Sequence, residues 1–241
     1  VADCVRIAGA APLMLPREEI ASAQIPGGDT LTLVSHGRDH IIMLGRDELM
    51  GTRMQFSEEQ LARLTLERLD SPRPRVLIGG YGMGFTYRAA LAHLPEAGGE
   101  VVVAEVVPEI LDWAQWPLAH LTGDSLNDPR GTVELCDVAA LIDDAGDGTR
   151  PQWDAILLDV DNGPDGIVRD GNERLYTRTG IGRARDALAP GGVLAVWSAA
   201  PDHKFTGRLK DAGLDVDVQT VRARPNNKGP HHTIWFARRK R

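Results

Sequence analysis

Asp159 and Asp161 close an apolar run over 154–160 and are followed by Asn162, Gly163 and Pro164. Two carboxylates this close together suit accepting a proton from an amine and holding a cation nearby. The apolar run reads as a buried strand that carries them to its C-terminal end, the edge where open parallel sheets bind ligands. The competing reading is a capped loop rich in turn residues. A second set of residues is Gly79-Gly80-Tyr81-Gly82-Met83-Gly84, between an apolar run and a helical pattern. Glycines there permit positive φ and a close approach of backbone to ligand, and the following helix N-terminus offers free N–H groups to an anion. Glu105 ends the next apolar run, 21 residues after Gly84. An acidic residue at about that distance accepts hydrogen bonds from ribose hydroxyls. Asp137 follows a third run, where it can meet an adenine amino group and also cap the helix that begins at Val138.

These residues need a parallel sheet to bring them together. Strands are expected at 76–79, 101–105, 132–136, 154–160 and 193–197, interleaved with helices at 85–94, 108–119, 138–142 and 177–188. Two final strands, 216–221 and 232–237, have no helix between them and should pair antiparallel. Ahead of this pattern, 30–35 and 40–44 read as a hairpin. A helix over 57–69 follows, with Ser57 as its cap and Gln60 as capping-box partner, and Pro72 and Pro74 end it. The expected architecture is α/β: a doubly wound Rossmann-like sheet of seven mostly parallel strands with the last antiparallel. The expected domains are a small N-terminal β-hairpin/helix lid over 1–72 and a ligand-binding catalytic domain over 73–241.

An apolar fraction of 42% and a charged fraction of 25% exclude collagen-like and low-complexity classes. A net charge of −7 offers no global field for nucleic acid or an anionic membrane, and neither partner is expected. Cys4 and Cys136 lack CxxC spacing, and no metal is expected. His231 and His232 point to opposite faces of a strand, which also disfavours a shared ion. No apolar run is long enough to span a membrane, and the first residues lack the pattern of a secretion signal, so the expected address is cytoplasmic. Trp113 and Trp116 are expected to pack against the sheet, and Trp197 to wall the ligand pocket.

Together these features resemble the class I S-adenosylmethionine-dependent transferases, most closely the spermidine synthase family. The similarity spans roughly 30–197 and includes Leu175-Tyr176-Thr177 and the helix ending at Pro190-Gly191-Gly192. The resemblance implies that Gly79, Gly80, Tyr81, Gly82, Gly84 and Glu105 hold the adenosyl ribose region and that Asp137 contacts adenine. It implies that Asp159 helps deprotonate the attacking amine, that Tyr176 lies near the acceptor, and that the protein is a homodimer.

The departures from that family shape the functional expectation. Its glycine loop reads Gly-Gly-Gly-Asp-Gly-Gly, and Gly82 stands at the Asp position. Val107 replaces an acidic residue two after Glu105. Its Asp-Ser-Ser-Asp becomes Asp159-Val160-Asp161-Asn162. A Tyr near the start of the first helix appears as Ser57, and a Gln in the hairpin region as Met50. Groups that recognise a diamine are therefore missing. An Asp in the loop would repel the carboxylate of intact S-adenosylmethionine, whereas Gly82 leaves the loop's N–H groups free to receive it. The expected function is an S-adenosylmethionine-dependent methyltransferase on a spermidine-synthase-like scaffold, acting on a small-molecule or peptide acceptor, with an amine as nucleophile. The alternatives are an aminopropyltransferase that makes a polyamine from decarboxylated S-adenosylmethionine, and a non-catalytic nucleoside-binding module. Asp159, Asp161 and Tyr176 are the expected catalytic residues. Arg53, Gln55, Glu59 and Asn162, with Ser57 and Glu58, are expected to line the acceptor pocket. For Glu58 and Glu59 the competing role is a negative first helical turn that suits the helix dipole.

Overall fold

The computed structural model describes residues 16–160, 162–164 and 170–241; Cys4 and Asp161 lie outside the described residues. Four strands open the chain: Glu18–Gln24 (β1), Thr30–His36 (β2), Asp39–Leu44 (β3) and Asp47–Gly51 (β4). They form one antiparallel sheet in chain order. β2 and β3 are the expected hairpin, and their alternation turns Leu31, Leu33 and Ile42 into the core.

Helix α1 (Phe56–Leu66) follows, with Gln55 at its N-cap and no side-chain cap. The expected Ser57 cap is corrected: Ser57 lies inside the first turn, fully buried. Its hydroxyl accepts from Trp197 Nε1 at 3.1 Å and meets His232 Nδ1 at 2.8 Å. A tertiary partner has displaced the local one.

The remainder alternates strand and helix through β5 (Arg75–Gly79), α2 (Phe85–His93), β6 (Glu100–Glu105), α3 (Pro108–Gln115), α4 (Ala119–Thr122), β7 (Gly131–Leu135), α5 (Val138–Gly146) and β8 (Trp153–Leu158), with the helix expected over 108–119 ending at Gln115. It continues through α6 (Glu173–Tyr176), α7 (Arg178–Ala187), β9 (Leu188–Ser198), α8 (His203–Asp211), β10 (Asp215–Arg224) and β11 (Lys228–Arg238). The seven strands are ordered β10-β11-β9-β8-β5-β6-β7. All neighbours pair in parallel except β11, which is antiparallel to both β9 and β10. This is the α/β, Rossmann-like architecture expected from the sequence, with a separate small antiparallel sheet.

Both faces of the large sheet are covered, which is why its strands are apolar without alternation. Along β5, Val76 and Ile78 enter one core and Leu77 the other. The first core also takes Leu31, Leu33 and Ile42 from the small sheet, so the two sheets share one apolar interior. α1 packs against α2 and the large sheet. Trp113 is buried as expected, but Trp116 is 73% exposed, a correction to the expected pair. Among the described residues no helix is long and apolar enough to cross a membrane.

The chain leaves β5 toward β6 and β7 on one side and returns to β8 and β9 on the other. The C-terminal ends of β5 and β8 therefore flank the point where the winding reverses, the place where such sheets open a crevice.

Tight packing on the β7 side generates a test. A Cβ at Gly131 would fall 1.8 Å from Tyr87 Oη and 2.7 Å from Cζ, and Tyr87 is itself buried. Gly131→Ala is expected to cost about 1–3 kcal/mol and to lower Tm by about 3–10 °C. Tyr87→Phe in the same chain should recover part of that loss. Thermal melts that find Gly131→Ala as stable as the parent would refute the contact.

Candidate functional site

Two loops meet at the reversal point. β5 ends at Gly79, and Gly80 turns with φ +84°. A Cβ at Gly80 would lie 2.8 Å from the Asp159 carbonyl oxygen, so only glycine lets the loops approach this closely. Gly80 N–H donates to Ala104 O at 2.9 Å, and Asp159 N–H donates to Gly79 O at 3.2 Å. Gly82 also has positive φ, and Gly84 is the left-handed N-cap of α2.

Glu105 ties this loop to the end of β6. Its Oε2 accepts from Tyr81 N–H at 2.9 Å, and its Oε1 accepts from Val106 and Val107 N–H at 2.8 and 2.9 Å. Asp137 caps α5 by accepting from Ala139 N–H at 2.9 Å and pairs with Arg174 at 2.8 Å. Asp159 Oδ2 accepts from Thr86 Oγ1, in the first turn of α2, at 2.7 Å. Burial pushes the Asp159 carboxyl up to about 6, against the lowering effect of the Thr86 bond.

These groups border a cavity that is open to solvent. Its sheet side presents Gly80, Gly82, Glu105, Asp137 and Asp159, α1 contributes Glu58, and β9 contributes Trp197. The small sheet and its turns supply Ile25, Leu31, Ile42, Leu49 and Met50, all apolar. Glu58 is only 6% exposed. Burial first, then the charges of Asp159 and Glu59, push its carboxyl well above the ordinary range. Four carboxylates thus line the cavity, and none of its described lining residues is Lys, Arg or His. Among the described residues no group of three or more His, Cys, Asp and Glu is arranged to hold a metal.

The structure therefore gathers Gly80, Gly82, Glu105, Asp137 and Asp159 around one space, with Gly79 beneath them. Tyr81 contributes its backbone; its ring is buried against Tyr87. Tyr176 is buried on the other core, edge-on to Phe205 at 5.8 Å, and does not line the cavity. Arg53 is exposed and pairs with Asp39. Gln55 is the N-cap of α1, and Glu59 faces Arg88 at 3.8 Å. Asn162 offers its carbonyl to Ala199 N–H at 3.1 Å. None of these four is part of the cavity wall.

Of Glu58 and Glu59, both expected at the pocket, Glu58 is the one that lines the cavity, and its signal was in the sequence. Glu58, Leu61, Ala62 and Thr65 follow a helical period, and all four are buried. Trp197 stands where it was expected. Its ring meets His232 edge-on at 4.7 Å, and burial lowers the His232 pKa.

No family model matches the chain. Over 135 residues, 55% of its length, the chain is 33% identical to polyamine aminopropyltransferase 1 of Streptomyces coelicolor. Over 149 residues, 62% of its length, it is 30% identical to the polyamine aminopropyltransferase of Nitrosomonas europaea. The chain spans only 24% and 42% of the lengths of these relatives. The spermidine synthase of Thermotoga maritima superposes with a TM-score of 0.72 at 19% identity, covering 91% of this chain and 72% of that one. A spermidine synthase solved with the transition-state analogue AdoDATO superposes at 0.69 and 18%, with the same coverage. The similarity to the spermidine synthase-like transferases read from the motifs is thus present in sequence relatives, and the fold is shared.

The expectation of methyl transfer is corrected. Both curated relatives are named for aminopropyl transfer. A Cβ at Gly82 would lie 2.7 Å from both Sδ and Cε of Met50, so that thioether fills the space a side chain there would take. An anion in the cavity would meet its acidic lining, Glu58, Glu105, Asp137 and Asp159.

The raised Asp159 carboxyl makes a stability prediction. Its pKa goes from 3.8 to about 6 on folding, so the folded state holds the proton more tightly than the unfolded one. The corresponding stability is full below about pH 4 and is lost as pH rises through 6. Asp159→Asn removes this loss. It should be more stable than the parent by about 1–2 kcal/mol at pH 8, and the gap should close toward pH 4. Denaturant melts across that range check it; equal stabilities at pH 8 would count against a strained Asp159.

Proposed function

We propose that this chain transfers an aminopropyl group from decarboxylated S-adenosylmethionine to a polyamine-type amine. The observation that carries the reading is the acidic lining of the cavity: the carboxyl groups of Glu58, Glu105, Asp137 and Asp159, and no Lys, Arg or His among its described lining residues. A donor with a sulfonium and an ammonium but no carboxylate suits that field, and so does a cationic acceptor. The aminopropyl-transferring relatives support the same choice.

In this reading Gly80 and Gly82 let the donor approach the backbone, Glu105 takes the ribose hydroxyls and Asp137 the adenine edge. Glu105 already accepts three N–H groups, so it is oriented before any ligand arrives. Trp197 and the apolar lid side chains exclude water and strengthen the charge interactions inside. Residues 1–72 act as lid and 73–241 as catalytic domain, and the homodimer implied by the resemblance is part of the same proposal.

Asp159 is the proton acceptor. The acceptor enters as R–NH3+ and gives one proton to the Asp159 carboxylate. The freed nitrogen lone pair attacks the aminopropyl carbon bound to sulfur. The C–S bond breaks, and its electrons stay on sulfur as a neutral thioether. The product leaves as a secondary ammonium, and Asp159 returns its proton to water. A carboxyl poised near 6 is ionised at neutral pH yet basic enough to assist.

Calorimetric titration with methylthioadenosine and S-adenosylhomocysteine tests the donor. Methylthioadenosine should bind at least about tenfold tighter, a difference of about 1.4 kcal/mol. Preference for S-adenosylhomocysteine, or binding of neither, would overturn the proposal. Asp159→Asn should lower kcat for methylthioadenosine release by about 10²–10⁴-fold and leave methylthioadenosine affinity within about threefold.

A further inference from the structure

Four cavity residues stand in a row along the edge of the large sheet. The neighbouring strands β9, β8, β5 and β6 run parallel, so their C-terminal ends present Trp197, Asp159, Gly80 and Glu105 in that order. All four line the cavity. Adjacent strands lie about 4.8 Å apart. Trp197 therefore stands one strand beyond Asp159, on the side away from Glu105. A ligand that reaches from Glu105 across Gly80 to Asp159 meets the indole next.

That indole is fastened. Its Nε1–H donates to Ser57 Oγ at 3.1 Å, and Ser57 Oγ lies 2.8 Å from His232 Nδ1. The His232 ring closes the triangle by meeting the indole edge-on at 4.7 Å. Register explains the meeting. Trp197 pairs with Ile234 across the two strands, and His232 lies two residues from Ile234, so both rings stand on one face of the sheet. The first turn of α1 brings Ser57 to them, and all three residues are buried. An indole N–H only donates, so Ser57 accepts there. With His232 Nδ1 bare, the Ser57 proton goes to it. With Nδ1 protonated, the Ser57 proton turns to Met54 O at 3.5 Å. In either tautomer Ser57 bonds both rings.

Resting on the function proposed above, we infer that Ser57 and His232 hold Trp197 as a fixed end wall that sets the length of amine the cavity admits beyond Asp159. Trp197 selects by length, and His232 is a positioning residue that acts through Ser57. A loosely held ring could turn aside and yield its volume to a longer alkyl chain. This one cannot turn without leaving a buried N–H unpaired and giving up its contact with His232.

The test reads the fastening and its consequence separately, in the full chain. The Trp197 indole N–H, identified by the loss of its magnetic-resonance signal in Trp197→Phe, should exchange slowly with solvent. His232→Ala should speed that exchange at least about tenfold. His232→Asn, which keeps a polar atom near the Nδ1 position, should restore most of the protection. Methylthioadenosine release is then followed with 1,4-diaminobutane and with 1,8-diaminooctane. The parent should favour the shorter amine at least about tenfold in kcat/KM, and Trp197→Ala should bring the two within about threefold. Trp197→Leu, a smaller change to the core, should move the ratio the same way. His232→Ala should reduce the ratio at least about threefold, through KM rather than kcat, and His232→Asn should lie nearer the parent. A parent that accepts both amines equally, or Trp197 variants that keep its preference, would overturn the wall. Unchanged indole exchange in His232→Ala would overturn the role of His232. A parent that releases no methylthioadenosine with either amine would overturn the transfer reading and the length selection with it, while the indole signal still reports on the fastening.

Discussion

The site depends on one close approach. Where the winding of the sheet reverses, the backbone at Gly80 passes the Asp159 carbonyl with no room for a side chain between them. That approach sets the rest in register. It directs Tyr81 N–H onto Glu105, which holds the ends of β5 and β6 together. It starts α2 at Gly84, which puts Thr86 against Asp159. Spread these loops by the width of a methyl group and the Thr86–Asp159 bond and the grip of Glu105 would lose their geometry together. The large sheet supplies the rigidity, because β5 is paired in parallel on both sides and buried on both faces.

The electrostatics follow from what that geometry crowds together. Four carboxylates around a half-apolar cavity would repel one another if all were equally bare. The fold settles them in graded fashion, with backbone N–H groups for Glu105, an arginine and a helix N-terminus for Asp137, and one hydroxyl for Asp159. Glu58 has the least, and its carboxyl is raised accordingly. The gradient runs from groups already committed to those free to respond. The apolar side chains that the small sheet adds to the cavity lower the local dielectric and sharpen each interaction.

Much of this was legible in the sequence because it rests on local pattern. Short apolar runs, the glycine loop and the acidic residue 21 positions later define strands and a reversal point without knowledge of side-chain contacts. What was not legible depends on contacts across the fold. β1 and β4 are mostly exposed or half-buried, so their composition carries little strand signal. Ser57 has the right neighbours for a cap, but Trp197 and His232, far away in sequence, claim its hydroxyl. Tyr176 sits in a familiar motif, yet its ring fills the opposite core. Glu58 was expected at the pocket beside Glu59, and its helical period with Leu61, Ala62 and Thr65 separates the buried one of the two.

Two departures from the family pattern, Gly82 and Met50, looked independent along the chain and are a single contact in space. The Met50 thioether occupies the volume beside Gly82, so a glycine on the loop and an apolar side chain on β4 are complementary. Reading Gly82 alone suggested an opening for a carboxylate; reading the pair shows the side-chain space beside it filled. The glycine loop bears no acidic side chain, and Glu58 of α1 brings a carboxyl group to the same cavity. The acidic character of the site thus rests on α1 as well as on the strand ends. A cation responds to the summed field of such groups more than to which element bears each one.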